Sequence, residues 1–437
     1  MIKRWRKRMI AVVVTLAMLA QQAAWAQSEA LAARQYLDWL RGAIDAMEAD
    51  LPAYTQAAQL ALEPFLAGRE LGVRGGAGLA VELGGRAGGF ITCRSRPGEA
   101  GDLILYAFGV TTAEQPDAAT LLEDELTDAQ RLRDAGSVVI GIASIQQLEA
   151  HGQLERARRV CHVLLDNHAP AADGLMRSTQ GKPIIPTFVT ADAASAWVFC
   201  CELYAACTRA GRTPALYQSI MVPGARERNA ALKGKRFQDD VTVEPIDAGV
   251  LGRAYLAHLR ELVERIGRES WPALAQAAKR ASQTLNEGGR VFVRAGGHYP
   301  VHHHGGQLPT DPGLFIRLDH DGSDPALPSP GENDFVIAVG YAFPPESDWW
   351  GDPAVLRQAG RGTAWALAAH DIDPAKFGPN EILIDQCWIV GDALVDVPGY
   401  DVRLAPPSAV TSELILWALT AQVYHETAGT ITTATQP

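Results

Sequence analysis

The sequence predicts an α/β protein of two similar lobes, each built on a mostly parallel sheet with helices on both faces. Three observations predict it. A signature recurs: Asp166-Asn167-His168 and Asp173-Gly174-Leu175 in one place, Asp385-Gln386-Cys387 and Asp392-Ala393-Leu394 in another, with four spacers inside each copy. Each copy follows an apolar run with the character of a buried strand (Val160 to Leu165, Glu381 to Ile384). Each also precedes a Pro-Thr/Ser-x-Val-Thr helix opening, at Pro186 and at Pro407. Two signatures in the same order point to a duplicated unit. Strands also alternate with helical patterns, which requires right-handed crossovers and parallel pairing. Finally, 437 residues exceed what one hydrophobic core serves.

Composition allows large cores, with 47% apolar and 20% charged residues. Residues 1–26 read as a signal peptide. Lys3, Arg4, Arg6, Lys7 and Arg8 form a basic start, Met9 to Ala20 an apolar core, and Ala24-Trp25-Ala26 a small-x-small cleavage signal. The apolar run is shorter than the roughly 20 residues that a membrane span needs. An exported chain, periplasmic or extracellular and free of the membrane after cleavage, is the expectation. Removing five basic side chains takes the formal net charge from −11 to −16. So acidic a surface argues against nucleic acid or anionic lipid as a partner. The six cysteines (Cys93, Cys161, Cys200, Cys201, Cys207 and Cys387) hold no C-x-x-C pair and three sit in one apolar helix pattern, so buried free thiols are expected.

In order, residues 28–66 carry a helical pattern broken at Pro52. Leu71 to Arg74 is a short strand emptying into Gly75-Gly76-Ala77-Gly78, and a helix bearing Glu82 runs to about Gly84. Leu103 to Phe108 is a buried strand with the loop Gly109-Val110-Thr111-Thr112 after it. A helix to Asp134, a strand Val138 to Ile142 and a helix to Arg159 lead to the first signature. Residues 222–249, rich in charge, Gly and Pro, read as the connection between lobes. The second lobe repeats the plan. Leu251 to Leu285 is helical, Val291 to Arg294 enters Ala295-Gly296-Gly297-His298, Asp334 to Val339 matches Asp102 to Ala107, and Arg357-Gln358-Ala359-Gly360 matches Arg133-Asp134-Ala135-Gly136. Between Gly305 and Gly331 an insertion reads as a surface loop. The boundaries are therefore 27–245 and 246–427, with a disordered Thr-rich tail at 428–437.

These elements, with the Arg-x-x-Gly join from helix to strand, resemble the SIS (sugar isomerase) phosphosugar-binding domain. The stretch Asp166, Asn167, Ala169, Pro170, Asp173 is similar to the "DNxAPxGDA" element of one branch of that family. The resemblance implies two tandem SIS-like αβα sandwiches, each with a mostly parallel five-stranded sheet, packed as the subunits of a family dimer pack. It also implies a small-molecule sugar derivative as ligand, homo-oligomers through SIS-type packing as an option, and no cofactor. Thr111 and Thr112 stand where the family has its phosphate loop, although Thr-Thr-Ala-Glu departs from Ser-x-Ser-Gly-x-Thr. The matching segment of the second lobe, Gly340 to Ser347, has gained Pro344 and Pro345 and lost their N–H donors.

Gly75, Gly76 and Gly78 can cradle a phosphate or sugar, since glycine permits close backbone approach, or can simply make a tight turn. A dinucleotide fingerprint does not fit: its third glycine would be Val81. Asp166, Asn167 and Asp173 lie at strand carboxyl ends, the edge where open α/β sheets bind ligands, but they equally suit turn chemistry. Isomerisation needs a base with a tuned pKa. Glu82 is the first choice, then His168, Glu202 and, from the second lobe, His298; a structural hydrogen bond is the plain alternative for each. The cluster His298-Tyr299-Pro300-Val301-His302-His303-His304 offers imidazoles to Zn²⁺ or Cu²⁺, yet Pro300 breaks the helix that would converge them, so no metal is expected. The functional expectation is binding of a sugar or sugar phosphate, with aldose–ketose isomerisation as its catalytic form. A non-catalytic sugar-binding protein and a metal-dependent enzyme using the His298–His304 cluster are the alternatives.

Overall fold

A computed structural model of the chain describes residues 31–93, 98–296, 303, 305–318, 328–350 and 353–427. The stretch read as a signal peptide, the Thr-rich tail and His298 fall outside them. Two parallel sheets form the frame. In the first, β1 (Leu71–Gly75), β2 (Leu103–Ala107), β3 (Val138–Ala143) and β4 (Val163–Asp166) run in sequence order. In the second, the order is β11 (Ile382–Asp385), β10 (Thr363–Leu367), β9 (Phe335–Val339), β7 (Val291–Ala295) and β8 (Ile316–Arg317). Every pairing within these sheets is parallel. The α/β class with parallel sheets is what the sequence predicts.

The strand count departs from five in the first sheet, where four are found among the described residues. In the second sheet the fifth strand ends where Leu318 N–H donates to Val293 O. Gly98 N–H donates to Val73 O in the corresponding place, and residues 94–97 before it are outside the described set. The insertion after Gly305 also differs from a surface loop. Leu308, Thr310 and Phe315 are buried, and β8 lies within it. The short hairpin of β5 (Met176–Arg177) with β6 (Pro183–Ile184) has its counterpart in the antiparallel bridge Val395↔Leu404.

Two long helices at the ends of the halves lead the packing. α1 (Leu31–Ala49) and α2 (Leu51–Leu66) open the chain, α3 (Leu79–Leu83) follows β1, and α4 (Ala118–Asp134), α5 (Ile145–Ala150) and α6 (Leu154–Val160) make the crossovers from β2 to β4. α7 (Phe188–Arg209) ends the first half. In the second, α9 (Val250–Arg265) and α10 (Trp271–Asn286) precede β7, α11 (Pro353–Arg357) joins β9 to β10, and α12 (Ser408–Thr427) is last. The connection at 222–249 is ordered and holds α8 (Ala225–Ala231), with Arg228 paired to Asp401 at 2.9 Å.

α7 and α12 are apolar on all sides and buried almost throughout, as helices are when neither face meets water. They pack on each other and divide their neighbours by an exchange. α1 lies mainly on α12 of the other half, and α9 lies on α7 of the other half. α2 and α10 instead cover the last helix of their own half. Gly252 makes the α9–α7 approach possible: a Cβ there would meet Glu202 Oε1 and Leu51 Cδ2 at 2.8 Å each.

Backbone detail recurs with the plan. Three pairs of non-glycine residues adopt positive φ at matching places: His168 and Cys387 (57° and 63°), Asp173 and Asp392 (44° and 45°), Ile185 and Ala405 (69° and 62°). Such angles are disfavoured for L-residues, so each must be held by bonds. The bonds match too. Asp166 Oδ1 accepts from the N–H groups of Ile145 and His168, while Asp385 Oδ1 accepts from those of Ala369 and Cys387. Tyr36 donates to Pro186 O at 2.9 Å and Tyr255 to Pro406 O at 3.1 Å. Across the halves, Ile185 N–H donates to Thr310 O and Ala405 N–H to Gly88 O.

The helix exchange generates a test. Residues 27–245 expressed alone leave α7 without α9, so they are expected to lack a cooperative thermal transition. Co-expression with 246–437 is expected to restore one, by circular dichroism. A first half that melts cooperatively near the temperature of the whole chain is the contrary result.

Candidate functional site

The loop after β1 continues through α3 into Gly84-Gly85-Arg86, and this segment crosses into the other half. Glu82 and Arg86, four residues apart, are both buried, with Glu82 Oε2 in ionic contact with Arg86 Nε at 3.2 Å. The other edge of the guanidinium reaches Asp392, 3.0 Å from Nη2 to Oδ2, and also Ser408 Oγ. Asp392 in turn accepts from Ser408 N–H and Oγ–H. Glu82 Oε1 is held by the indole N–H of Trp197 at 2.9 Å. The result is a carboxylate–guanidinium–carboxylate chain that spans the two halves.

Against this chain lies a cavity of about 130 Å³. Arg86 forms part of its lining, with Tyr217 and Ser219 from the first half and Tyr341, Phe343 and Trp349 from the second. Phe343 and Trp349 stack at 4.6 Å, and the hydroxyls of Ser219 and Tyr341 meet at 3.2 Å. Aromatic faces with a few convergent polar groups are the usual make-up of a small-molecule site.

Burial sets the charges. It raises Glu82 to about 7, an effect that the Arg86 charge and the Trp197 N–H oppose. Asp392 is likewise raised by burial, with Arg86 and Ser408 opposing. Burial alone would lower Arg86, but the Glu82 and Asp392 charges more than offset it and hold the guanidinium above its ordinary value.

The first half builds a different arrangement at its matching place. Asp173 accepts from Thr187 and Phe188 N–H and, from the other half, from Thr310 Oγ at 3.3 Å. Where the second half uses Gln386, Asn167 donates to Asp192 Oδ1 at 2.8 Å and accepts from Ala169 N–H. Gly75 and Gly76 have positive φ and press on the end of β2: a Cβ on Gly75 would meet Ala107 O at 1.8 Å. Gly78, also at positive φ, opens α3. His303 closes this turn from the other half, with Nε2 donating to Ala77 O at 2.6 Å and Nδ1 2.7 Å from Glu413 Oε1. Both of its ring nitrogens are thus occupied by protein. Among the described residues no group of three or more His, Cys, Asp or Glu is set to hold a metal ion.

The remaining sequence candidates scatter. His168 is bonded to Asp50 at 3.0 Å and sits beside Asp166 at 3.4 Å. Glu202 accepts from Thr55 Oγ and from the N–H groups of Gly249 and Gly252, so it caps the start of α9 rather than facing a cavity. Thr111 is buried, and the Thr112 hydroxyl accepts from Gln115 N–H in a local turn. The next residue, Ala113, is tied to Gln307 O. Of the residues named from the sequence, Glu82 joins the interlobe chain from behind Arg86 and Asp392 of the second signature copy forms its other end. Arg86, Ser219, Tyr341, Phe343 and Trp349 were not singled out in the sequence. The signals that mark them are the four-residue spacing of Glu82 to Arg86 and the concentration of aromatics from Tyr341 to Trp350. All six cysteines are buried and unpaired.

Two outcomes follow from these charges. Arg86→Met leaves two buried carboxylates without compensation and is expected to cost about 3–5 kcal/mol in denaturant unfolding. The loss is smaller at pH 5 than at pH 8, because Glu82 titrates near 7 and is neutral at the lower pH. Separately, burial lifts Asp173 to about 6 and Asp192 and Glu125 each to about 8. Folded values above the unfolded ones, about 4, give a contribution that is complete below pH 4 and is lost as pH rises through 6 to 8. The melting temperature is therefore expected to fall between pH 6 and 9, and Asp192→Asn to flatten that fall.

No family model matches the chain, and no curated protein matches it. Among solved structures, the C-terminal domain of glucosamine-fructose-6-phosphate aminotransferase from Francisella tularensis aligns over 89% of this chain and 95% of its own, at 10% identity and a TM-score of 0.44. A putative phosphosugar isomerase from Silicibacter pomeroyi aligns over 91% and 97%, at 12% identity and a TM-score of 0.47.

Proposed function

We propose that the protein binds a carbohydrate derivative in the cavity between Arg86 and the aromatic residues of the second half. The observation that carries this reading is the cavity itself. Its lining comes from both halves, its aromatic faces suit the apolar faces of a sugar ring, and the Ser219 and Tyr341 hydroxyls converge on it. The SIS-like order of motifs supplies the ligand class. On this reading residues 27–245 and 246–427 are two copies of one SIS-like unit. The repeated positive-φ positions support that division. Export after loss of residues 1–26 belongs to the same proposal. No helix among the described residues is long and apolar enough to cross a membrane.

Binding without turnover is the form the geometry favours. Glu82 is fully buried, with one oxygen on Trp197 and the other on Arg86, and it is not among the residues lining the cavity. Isomerisation is the second reading, favoured by one observation: Glu82 titrates near 7, where a general base works best. A thermal-shift screen of sugars and sugar phosphates on the chain lacking residues 1–26 separates the readings. A true ligand at about 100 times its Kd adds about 2.7 kcal/mol of stability. The expected outcome is stabilisation with no aldose–ketose conversion detected by NMR. Conversion that Glu82→Gln abolishes is the result that selects isomerisation.

A further inference from the structure

We infer that the cavity takes an unphosphorylated sugar ring and discriminates against phosphate esters; this rests on the binding reading above. A phosphate group needs cationic or N–H donors that are free to face it. Among the described residues Arg86 is the one cation in the lining. Its guanidinium already contacts Glu82, Asp392 and Ser408, so the positive charge arrives at the cavity floor matched by two carboxyl groups. An incoming dianion therefore meets a guanidinium already shared between two carboxyl groups.

Several backbone N–H groups near the cavity are already spent. Pro344 and Pro345 have no N–H. The N–H of Gly340 is spent on Ala366 O, that of Ser347 on Pro344 O, that of Trp349 on Ser347 Oγ and that of Trp350 on Ser347 O. In the first half the N–H groups of Met221 and Val222 fold back onto Ser219. What the cavity presents instead is aromatic surface and two neutral hydroxyls. At about 130 Å³ it has room for little more than one ring, well under the roughly 300 Å³ at which drug-sized sites begin.

The test is titration calorimetry, in phosphate-free buffer, of the chain lacking residues 1–26 against glucose, galactose and N-acetylglucosamine and against the 6-phosphate of each. At least one neutral sugar is expected to bind, with its 6-phosphate weaker by about tenfold or more. Asp392→Asn keeps a residue that tolerates positive φ while uncovering the Arg86 charge, so it is expected to narrow or reverse that preference. Trp349→Ala is expected to weaken the neutral sugar by about tenfold or more, as loss of an aromatic anchor does, and it keeps the inference testable if the Asp392 variant does not fold. A 6-phosphate that binds as tightly as its parent sugar, or more tightly, overturns this inference and leaves the binding reading standing. Heat from neither set overturns both.

Discussion

The architecture depends on one constraint: α7 and α12 are apolar on every side, so neither can be left with a face in water. Each half supplies only part of the cover its own last helix needs. The missing cover comes from the first helix of the opposite half, α1 over α12 and α9 over α7. A helix apolar all round has no stable place at a surface, so the two sheets are fixed relative to each other by the same burial that stabilises each of them. The loops at the carboxyl ends of the strands are brought close as a result, and side chains from one half come to bond the turns of the other.

Those crossing contacts determine where chemistry can happen. A guanidinium removed from water is costly unless paired, and here carboxylates pair it on two sides. The Glu82–Arg86–Asp392 chain therefore joins the halves, fixes the positive-φ turn at Asp392 and forms the cavity floor in one device. The matching place in the first half is closed differently, by Thr310 on Asp173 and by His303 over the glycine turn. There the polar groups bond one another.

Much of the fold was legible because it rests on local chemistry. Asp166 and Asp385 are readable as turn formers, since short side chains bonding the backbone two residues on is a property of the residue type. Continuous apolar runs such as Leu103 to Ala107 and Phe335 to Val339 carry little ambiguity as buried strands when loops and helical patterns flank them. The site was legible only in part. Glu82 was identifiable by its place after the glycines, but its partners lie far off in the chain: Arg86 meets Asp392 across 306 positions, and no periodicity encodes such a pairing. Arg86 itself stands among glycines, where a solvated turn is the simpler expectation. Glu202 looked like a base because it is a carboxylate on an apolar helix, and its occupation by the start of α9 depends on the exchange of helices. The insertion after Gly305 has a polar composition that hides Leu308, Thr310 and Phe315, the residues that seat it between the halves.

The unlike closure of the two matching places has an evolutionary corollary. In an assembly of identical subunits a substitution is felt at every equivalent position at once, so a change that helps one crevice is imposed on its twin. Two halves written in one continuous polypeptide are released from that coupling. One half carries prolines and aromatics beside the cavity while the glycine turn of the other is closed by a histidine, and neither arrangement has to suit both places.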